Sequence, residues 1–206
     1  SKLPAGAVVV TELECPGYIV DEAQRIISLH PNDTAQFVFT NSKRPTLRLI
    51  KTSADGTPLE GVTFRIAHVE DGTHYINRTT NSAGEIVVSD LEPGVFSVVE
   101  TATLPNHILN PKEHHVELFP GKTSEIRLEN DKRPNLIIYK HDADTGEPIP
   151  NTVFLVKAAD GHSVNEAKTG PDGKAVLENL LPGVYEISEK SVPAPWLNDA
   201  APQLVT

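Results

Sequence analysis

Residues 43–51 read KRPTLRLIK, and nearly the same stretch returns 89 residues later as KRPNLIIYK at residues 132–140. Downstream of it, LEPGVF at residues 91–96 returns as LLPGVY at residues 180–185. A long period with well-kept turn residues predicts an array of similar domains. Such arrays more often extend a protein in space or make its binding multivalent than form a single active site.

The repeat divides the chain into three predicted parts. Residues 1–42 follow the second half of the pattern and are interpreted as the C-terminal part of a preceding repeat. Residues 43–131 form a complete repeat, and residues 132–206 form a further repeat that lacks its last strand. The chain begins with Ser and contains no Met, as we expect of an internal piece of a longer protein.

Composition narrows the class of protein. The 206 residues carry a net charge of −10, which argues against a nucleic-acid partner because phosphate binding needs a basic face. No apolar run has the length of a membrane span, and no signal peptide is present. A single Cys excludes a disulfide framework within the chain. The 17 Pro and 13 Gly indicate many turns between short elements.

The local pattern is strand and turn throughout, without a convincing helical stripe in any ten-residue stretch. Alternating β-branched and aromatic residues predict seven strands in the complete repeat, at residues 46–51, 62–69, 74–80, 85–90, 95–101, 114–118 and 124–129. About seven strands in about 90 residues indicate an antiparallel β-sandwich of immunoglobulin-like architecture. The chain is therefore predicted to be all-β, a tandem array of such sandwiches.

Three apolar strand faces of the complete repeat each end in a polar residue. Residues two apart in a strand share a face, so Lys51, Glu100 and Asn130 are expected to point inward with the apolar residues before them. In the last repeat Lys140 and Glu189 hold the same positions. A buried charge is costly unless it is paired. Their recurrence therefore predicts that the three residue types meet.

A Lys, a Glu and an Asn held together can form an amide. Burial favours the neutral, nucleophilic Lys, and a buried carboxyl group that stays protonated can hydrogen-bond the Asn carbonyl and polarise it. Attack by the amine would release ammonia and leave a Lys–Asn isopeptide bond between the first and last strands, with proximity in place of an external enzyme. The alternative is that the Lys reaches out to water and the Glu forms only a salt bridge.

Several short motifs in fixed order resemble a known family. KHDADTGEPI at residues 140–149, GPDG at residues 170–173 and LPGVY at residues 181–185, followed by Glu189, resemble the collagen-adhesin B-type repeat. This repeat is also called the SpaA or prealbumin-like domain of Gram-positive surface proteins and pilins. The resemblance covers nearly the whole chain and implies a prealbumin-like sandwich.

The resemblance also implies a location, a role and site residues. It implies display on a Gram-positive cell wall, outside the cell, as stalk repeats of an adhesin or pilin. It makes Lys51 and Asn130 the partners of an isopeptide bond with Glu100 as the internal catalyst. Lys140 and Glu189 match in the last repeat, where Glu189 is the catalyst, and Glu12 and Asn41 match in the first fragment.

Other candidate sites are weaker, and neither a cofactor nor a metal is predicted. The acidic run that begins at Asp142 resembles the start of a calcium loop, but the later ligands are missing and a β-turn is favoured. The His residues lack metal-ligand spacing, and Cys15 has no His nearby in sequence. No nucleophile–base set or phosphate loop is present. At most, a single autocatalytic turnover is expected, and no enzyme.

Three functions remain open at this point. The first is a structural stalk whose partners are neighbouring domains of the same long chain. The second is a module that binds a host or matrix protein, although Trp196 is the only Trp available as an anchor. The third is an accessory domain of a secreted, wall-anchored enzyme. In addition, the incomplete last repeat predicts an open sheet edge, and strand pairing through it would allow self-association with residues 1–42 of another copy.

Overall fold

The structure, a computed structural model, describes residues 6–20, 23–72, 74–161, 164–199 and 201–206. These residues form strands, turns and loops without a helix, which confirms the all-β prediction. Accordingly, the described residues include no helix that is long and apolar enough to cross a membrane. The strands are β1 Gly6–Thr11, β2 Tyr18–Val20, β3 Gln24–Leu29, β4 Asn41–Lys43, β5 Thr46–Ser53, β6 Thr63–His68, β7 Tyr75–Thr79, β8 Glu85–Val88, β9 Gly94–Ala102, β10 His114–Leu118, β11 Thr123–Asn130, β12 Leu136–Tyr139, β13 Val153–Ala158, β14 Val164–Lys168, β15 Lys174–Leu177, β16 Tyr185–Ser191 and β17 Gln203–Val205.

The chain separates into two compact units. One contains residues 1–103 and 109–130, and the other contains residues 104–108 and 131–206. In the first unit, strands β5 to β11 form two sheets with the orders β10-β9-β6-β7 and β11-β5-β8. These seven strands match the seven predicted ones with ends that agree to within two residues, because each lies between turn residues visible in the sequence.

One strand pair departs from the antiparallel pattern. The last strand, β11, runs parallel to the first, β5, from Thr46 opposite Thr123 to Ser53 opposite Asn130. Parallel neighbours need a long crossover, and here the whole intervening sandwich supplies it. The alternation of the sequence predicts that these two strands have one buried face each, but it does not predict their relative direction.

The core of this unit lies between its two sheets. Leu47 and Leu49 of β5 are fully buried, as are Phe64 of β6 and Val98 of β9. Alternate residues on each strand therefore face inward, as the period of two predicts. The Lys, Glu and Asn positions continue these same inward faces.

The remaining strands of the first unit belong to residues 6–43. β1 pairs with β3, and β2 pairs with β4, both antiparallel. Residues 33–40 carry no regular secondary structure. Of the predicted preceding repeat, residues 1–5, 21 and 22 lie outside the described part of the chain.

The second unit repeats this plan with fewer described strands. β14, β13, β16 and β17 form one antiparallel sheet, and β12 pairs with β15. Phe154, Ala167 and Ala175 form its buried core. Within the described residues β12 pairs on one edge only, whereas its counterpart β5 is paired on both. Among the described residues, therefore, no strand lies on the edge of β12 that corresponds to the β11 edge of β5.

Candidate functional site

The structure brings Lys51, Glu100 and Asn130 into mutual contact. Nζ of Lys51 lies 2.6 Å from Oδ1 of Asn130 and 2.9 Å from Oε2 of Glu100. Nδ2 of Asn130 donates a hydrogen bond of 2.6 Å to Oε1 of Glu100. The three residues are 0, 3 and 2 % exposed, respectively. Lys51 is therefore buried and does not extend to water, which was the other position that the sequence left open for it.

Strand register explains why these side chains meet. Lys51 lies opposite Leu128 in the parallel β5–β11 pair, so Asn130 follows on the same face two residues later. Glu100 lies opposite Phe64 across the neighbouring β6–β9 ladder. The Phe64 ring centroid is 5.9 Å from Nζ of Lys51, which places an aromatic face beside the amine.

Gly84 allows the backbone to close tightly behind Lys51. Its carbonyl accepts a 2.8 Å hydrogen bond from the Lys51 amide. A Cβ at Gly84 would lie only 2.3 Å from the Lys51 carbonyl oxygen, and its φ of +71° is unfavourable for other residues. Gly173 stands in the same relation to Lys140, with a hypothetical Cβ 2.5 Å from that carbonyl. The glycine of each copy thus allows close packing against the backbone of the Lys residue.

Burial makes Lys51 a better nucleophile than an ordinary lysine. Desolvation lowers the pKa of its ammonium group, and the hydrogen bond and charge of Glu100 oppose that shift. The net direction is downward. A larger fraction of Lys51 is therefore in the neutral, nucleophilic form than for a lysine in water.

The carboxyl group of Glu100 touches both nitrogens of the site. Oε2 faces the Lys51 amine and Oε1 accepts from the Asn130 amide nitrogen. The sequence pattern predicts that the carboxyl group contacts the Asn130 carbonyl oxygen, but in the structure that oxygen faces Lys51 instead. This orientation places Glu100 between the Lys51 amine and the Asn130 amide nitrogen.

In the second unit, the Lys and the Glu that match Lys51 and Glu100 are in contact with each other. Nζ of Lys140 contacts Oε1 of Glu189, and Oε2 of Glu189 accepts a 2.8 Å hydrogen bond from the Asp199 amide. No hydrogen bond joins Lys140 to an Asn within the described residues. Its side chain is 24 % exposed, against 1 % for Lys51. The open edge of β12 leaves this Lys partly in water.

The first fragment holds the complementary pair. Nδ2 of Asn41 donates a hydrogen bond of 2.5 Å to Oε1 of Glu12, as Asn130 does to Glu100. The other two polar atoms, Oδ1 of Asn41 and Oε2 of Glu12, are buried without a hydrogen-bond partner in the described structure. Their counterparts in the complete repeat are the two atoms that face Lys51.

The acidic run that begins at Asp142, which resembles the start of a calcium loop, stabilises a turn in the structure. The Asp142 carboxylate accepts hydrogen bonds from the amides of Asp144 and Thr145 and a 2.7 Å bond from the Trp196 indole. The indole bond, followed by the backbone bonds, lowers the pKa of Asp142 to about 2. Among the described residues no group of three potential ligands could hold a metal ion. Asp142 thus stabilises a turn, as the sequence favours, and it also binds Trp196, a contact between distant segments that no local pattern predicts.

The fold and the site together define a class. This is a pair of prealbumin-like β-sandwich units, one of which contains a buried Lys–Glu–Asn cluster between its first and last strands. The family profile for the SpaA prealbumin-like fold domain matches residues 45–132 and 134–206. The chain belongs to this family, which confirms the resemblance noted in the sequence.

The solved structures that are similar to this chain include pilins. A streptococcal ancillary pilin is 20% identical with a TM-score of 0.47, and the match covers 98% of this chain and 71% of that one. The shaft pilin SpaA of Lactobacillus rhamnosus GG is 16% identical with a TM-score of 0.48, covering 79% and 93%. The Bacillus anthracis TIE protein is 23% identical with a TM-score of 0.46, covering 88% of this chain. This chain spans about a third (34%) of the TIE protein. No curated protein sequence matches this chain.

Proposed function

We propose that these domains are stalk repeats of a Gram-positive cell-surface pilin or adhesin, displayed outside the cell and stiffened by a Lys51–Asn130 isopeptide bond. Family membership supports the stalk role. The observation that carries the cross-link is the burial of an amine, a carboxyl group and a carboxamide in mutual contact. An unreacted cluster of this kind would be a costly feature of a core.

The reaction balances within the three side chains. The neutral Lys51 amine attacks Cγ of Asn130, so that a bond forms between Nζ and Cγ. The proton lost from Nζ passes to Oε2 of Glu100, 2.9 Å away. The carboxyl group returns a proton through Oε1 to Nδ2, 2.6 Å away, as the bond between Cγ and Nδ2 breaks and ammonia leaves. Lys51 and Asn130 are consumed, so each chain reacts once and no enzyme results.

The position of the bond suits a load-bearing module. A pull on the chain enters the complete repeat through β5 and leaves after β11. A covalent bond between Lys51 and Asn130 would carry that tension directly. The residues between them, 52–129, would then stay folded under load, because no force reaches them.

Single-molecule pulling tests the stalk role. Wild-type protein held by its two ends should lack the extension that unfolding of residues 52–129 would release, because the bond bypasses them. A Glu100→Gln variant, which keeps nearly the same side-chain volume but cannot relay protons, should show that extension. An identical extension from both proteins would contradict the load-bearing role.

We also propose that two copies of the chain associate through the open edge of β12. The β11–β5 pair of residues 43–131 supports this proposal, because β11 lies parallel to β5 along the edge that corresponds to the open edge of β12. Residues 34–41 (TAQFVFTN) align with β11 and place Phe37, Phe39 and Asn41 where β11 has its inward residues. Residues 34–40 carry no regular secondary structure. A second copy can therefore supply a matching strand.

Light scattering coupled to size-exclusion chromatography tests this association. Wild-type protein should show a dimer or larger species whose fraction grows with concentration. Phe39→Ser should reduce that fraction, because an inward anchor is lost. Val38→Ser, a change to an exposed residue on the opposite face, should leave it unchanged. A monomer at every concentration would exclude the pairing.

A further inference from the structure

We propose that Thr103 is a positioning residue for amide formation, because its hydroxyl fixes the orientation of the Asn130 carboxamide. This inference rests on the proposed Lys51–Asn130 reaction and adds a fourth residue to it. Oγ1 of Thr103 accepts a 2.9 Å hydrogen bond from Nδ2 of Asn130. Thr103 directly follows β9, the strand that carries Glu100.

Three contacts hold the carboxamide plane. The two N–H groups of Nδ2 are used by Oε1 of Glu100 and by Oγ1 of Thr103, while Oδ1 faces the Lys51 amine. Removal of Thr103 would leave one N–H without its partner in a buried site. The carboxamide could then rotate about its Cβ–Cγ bond to seek another partner.

Orientation matters because the amine must approach Cγ from outside the carboxamide plane. A group held at the correct angle reacts much faster than one that samples several angles. Glu100 alone provides a single contact to Nδ2, which permits rocking about that bond. Thr103 adds a second contact to the same nitrogen and keeps the leaving group beside its proton donor.

The repeats of this chain support the assignment. Thr103 lies three positions after Glu100, in the stretch ETAT at residues 100–103. The corresponding positions after Glu189 and Glu12 are Val192 and Cys15, so neither has a hydroxyl group. Within the described residues, only the copy with all three reactive side chains in contact also has a Thr here. Nothing about strand or turn formation requires this difference.

The test compares rates of ammonia loss in the full 206-residue chain. Intact mass is followed over time in freshly purified protein, and the fraction lacking one ammonia is recorded. Thr103→Val, which copies the residue of the second repeat with nearly the same shape, should slow the reaction roughly tenfold. Thr103→Ser keeps the hydroxyl group and should react within about threefold of wild type. Thr101→Val removes a nearby exposed hydroxyl group that bonds to the Thr63 carbonyl, and it should have no effect.

The outcomes separate the two proposals. If wild-type protein never loses ammonia, the cross-link itself is wrong and Thr103 has no reaction to position. If wild type and Thr103→Val react at the same rate, only the role of Thr103 is overturned. If Thr103→Val does not fold, Thr103→Ser decides the matter. A Ser variant that folds but does not lose ammonia would show that the hydroxyl group is not sufficient and would overturn the role given to it.

Discussion

The intact wild-type chain is expected to weigh one ammonia less than its sequence requires. Formation of the Lys51–Asn130 amide releases one ammonia, and high-resolution mass spectrometry of the denatured protein measures it directly. Lys51→Ala removes the nucleophile, and Glu100→Gln removes the proton relay between two nitrogens that it contacts. Each variant should therefore show the full mass of its own sequence.

Matched controls come from the second repeat. Lys140→Ala and Glu189→Gln change the corresponding side chains, which contact each other but no Asn in the described structure. Both should keep the deficit of one ammonia. A wild-type mass equal to the sequence mass would falsify the cross-link, and a deficit that survives Lys51→Ala would place the bond elsewhere.

The reaction should also accelerate as pH rises. Burial lowers the pKa of Lys51, and only its neutral form attacks. Raising the pH increases that neutral fraction, so the rate of ammonia loss should rise with it. The rate at each pH is followed by the same measurement of intact mass.

Loss of the bond should cost the complete repeat much of its stability. Lys51 and Asn130 are 79 residues apart in sequence, so the bond closes a long loop in the unfolded chain. By analogy with disulfides, such a closure stabilises the folded state by about 4 kcal/mol when chain entropy dominates. For a domain of this size, the loss corresponds to a fall in Tm of about 20 °C.

Calorimetry of wild type and Glu100→Gln measures this loss with little change in packing, because Gln and Glu have nearly the same volume. Lys190→Ala serves as the control, since Lys190 and its ion-pair partner Glu166 are both 54 % exposed and the loss should shift Tm by only a few degrees. A Glu100→Gln protein that melts within a few degrees of wild type would show that the bond is absent or does not stabilise the folded repeat.

The sequence anticipates much of the candidate site because strand geometry is simple. A period of two places Lys51 behind Leu49, Glu100 behind Val98 and Asn130 behind Leu128 on inward faces. The structure places all three in contact. It does not show the amide itself, which stays a prediction.

Other parts of the site depend on distant segments. The parallel direction of β11 against β5 is set by the path of the chain through the sandwich, and no local pattern encodes it. The contact between Thr103 and Asn130 joins a loop to a strand 27 residues later. A Thr after a strand is ordinary in sequence, and only the comparison with Val192 and Cys15 gives a signal that could have singled it out.

The repeat, the strands, the turns and the inward position of the polar residues can all be predicted from local sequence patterns. These features follow from local backbone preferences and from the alternation of side chains along a strand. The tertiary structure alone decided that Lys51 is fully buried while Lys140 is partly exposed. The physical reason is the neighbouring strand: β11 covers the edge of β5 and removes water from Lys51, whereas the described residues leave the same edge of β12 open.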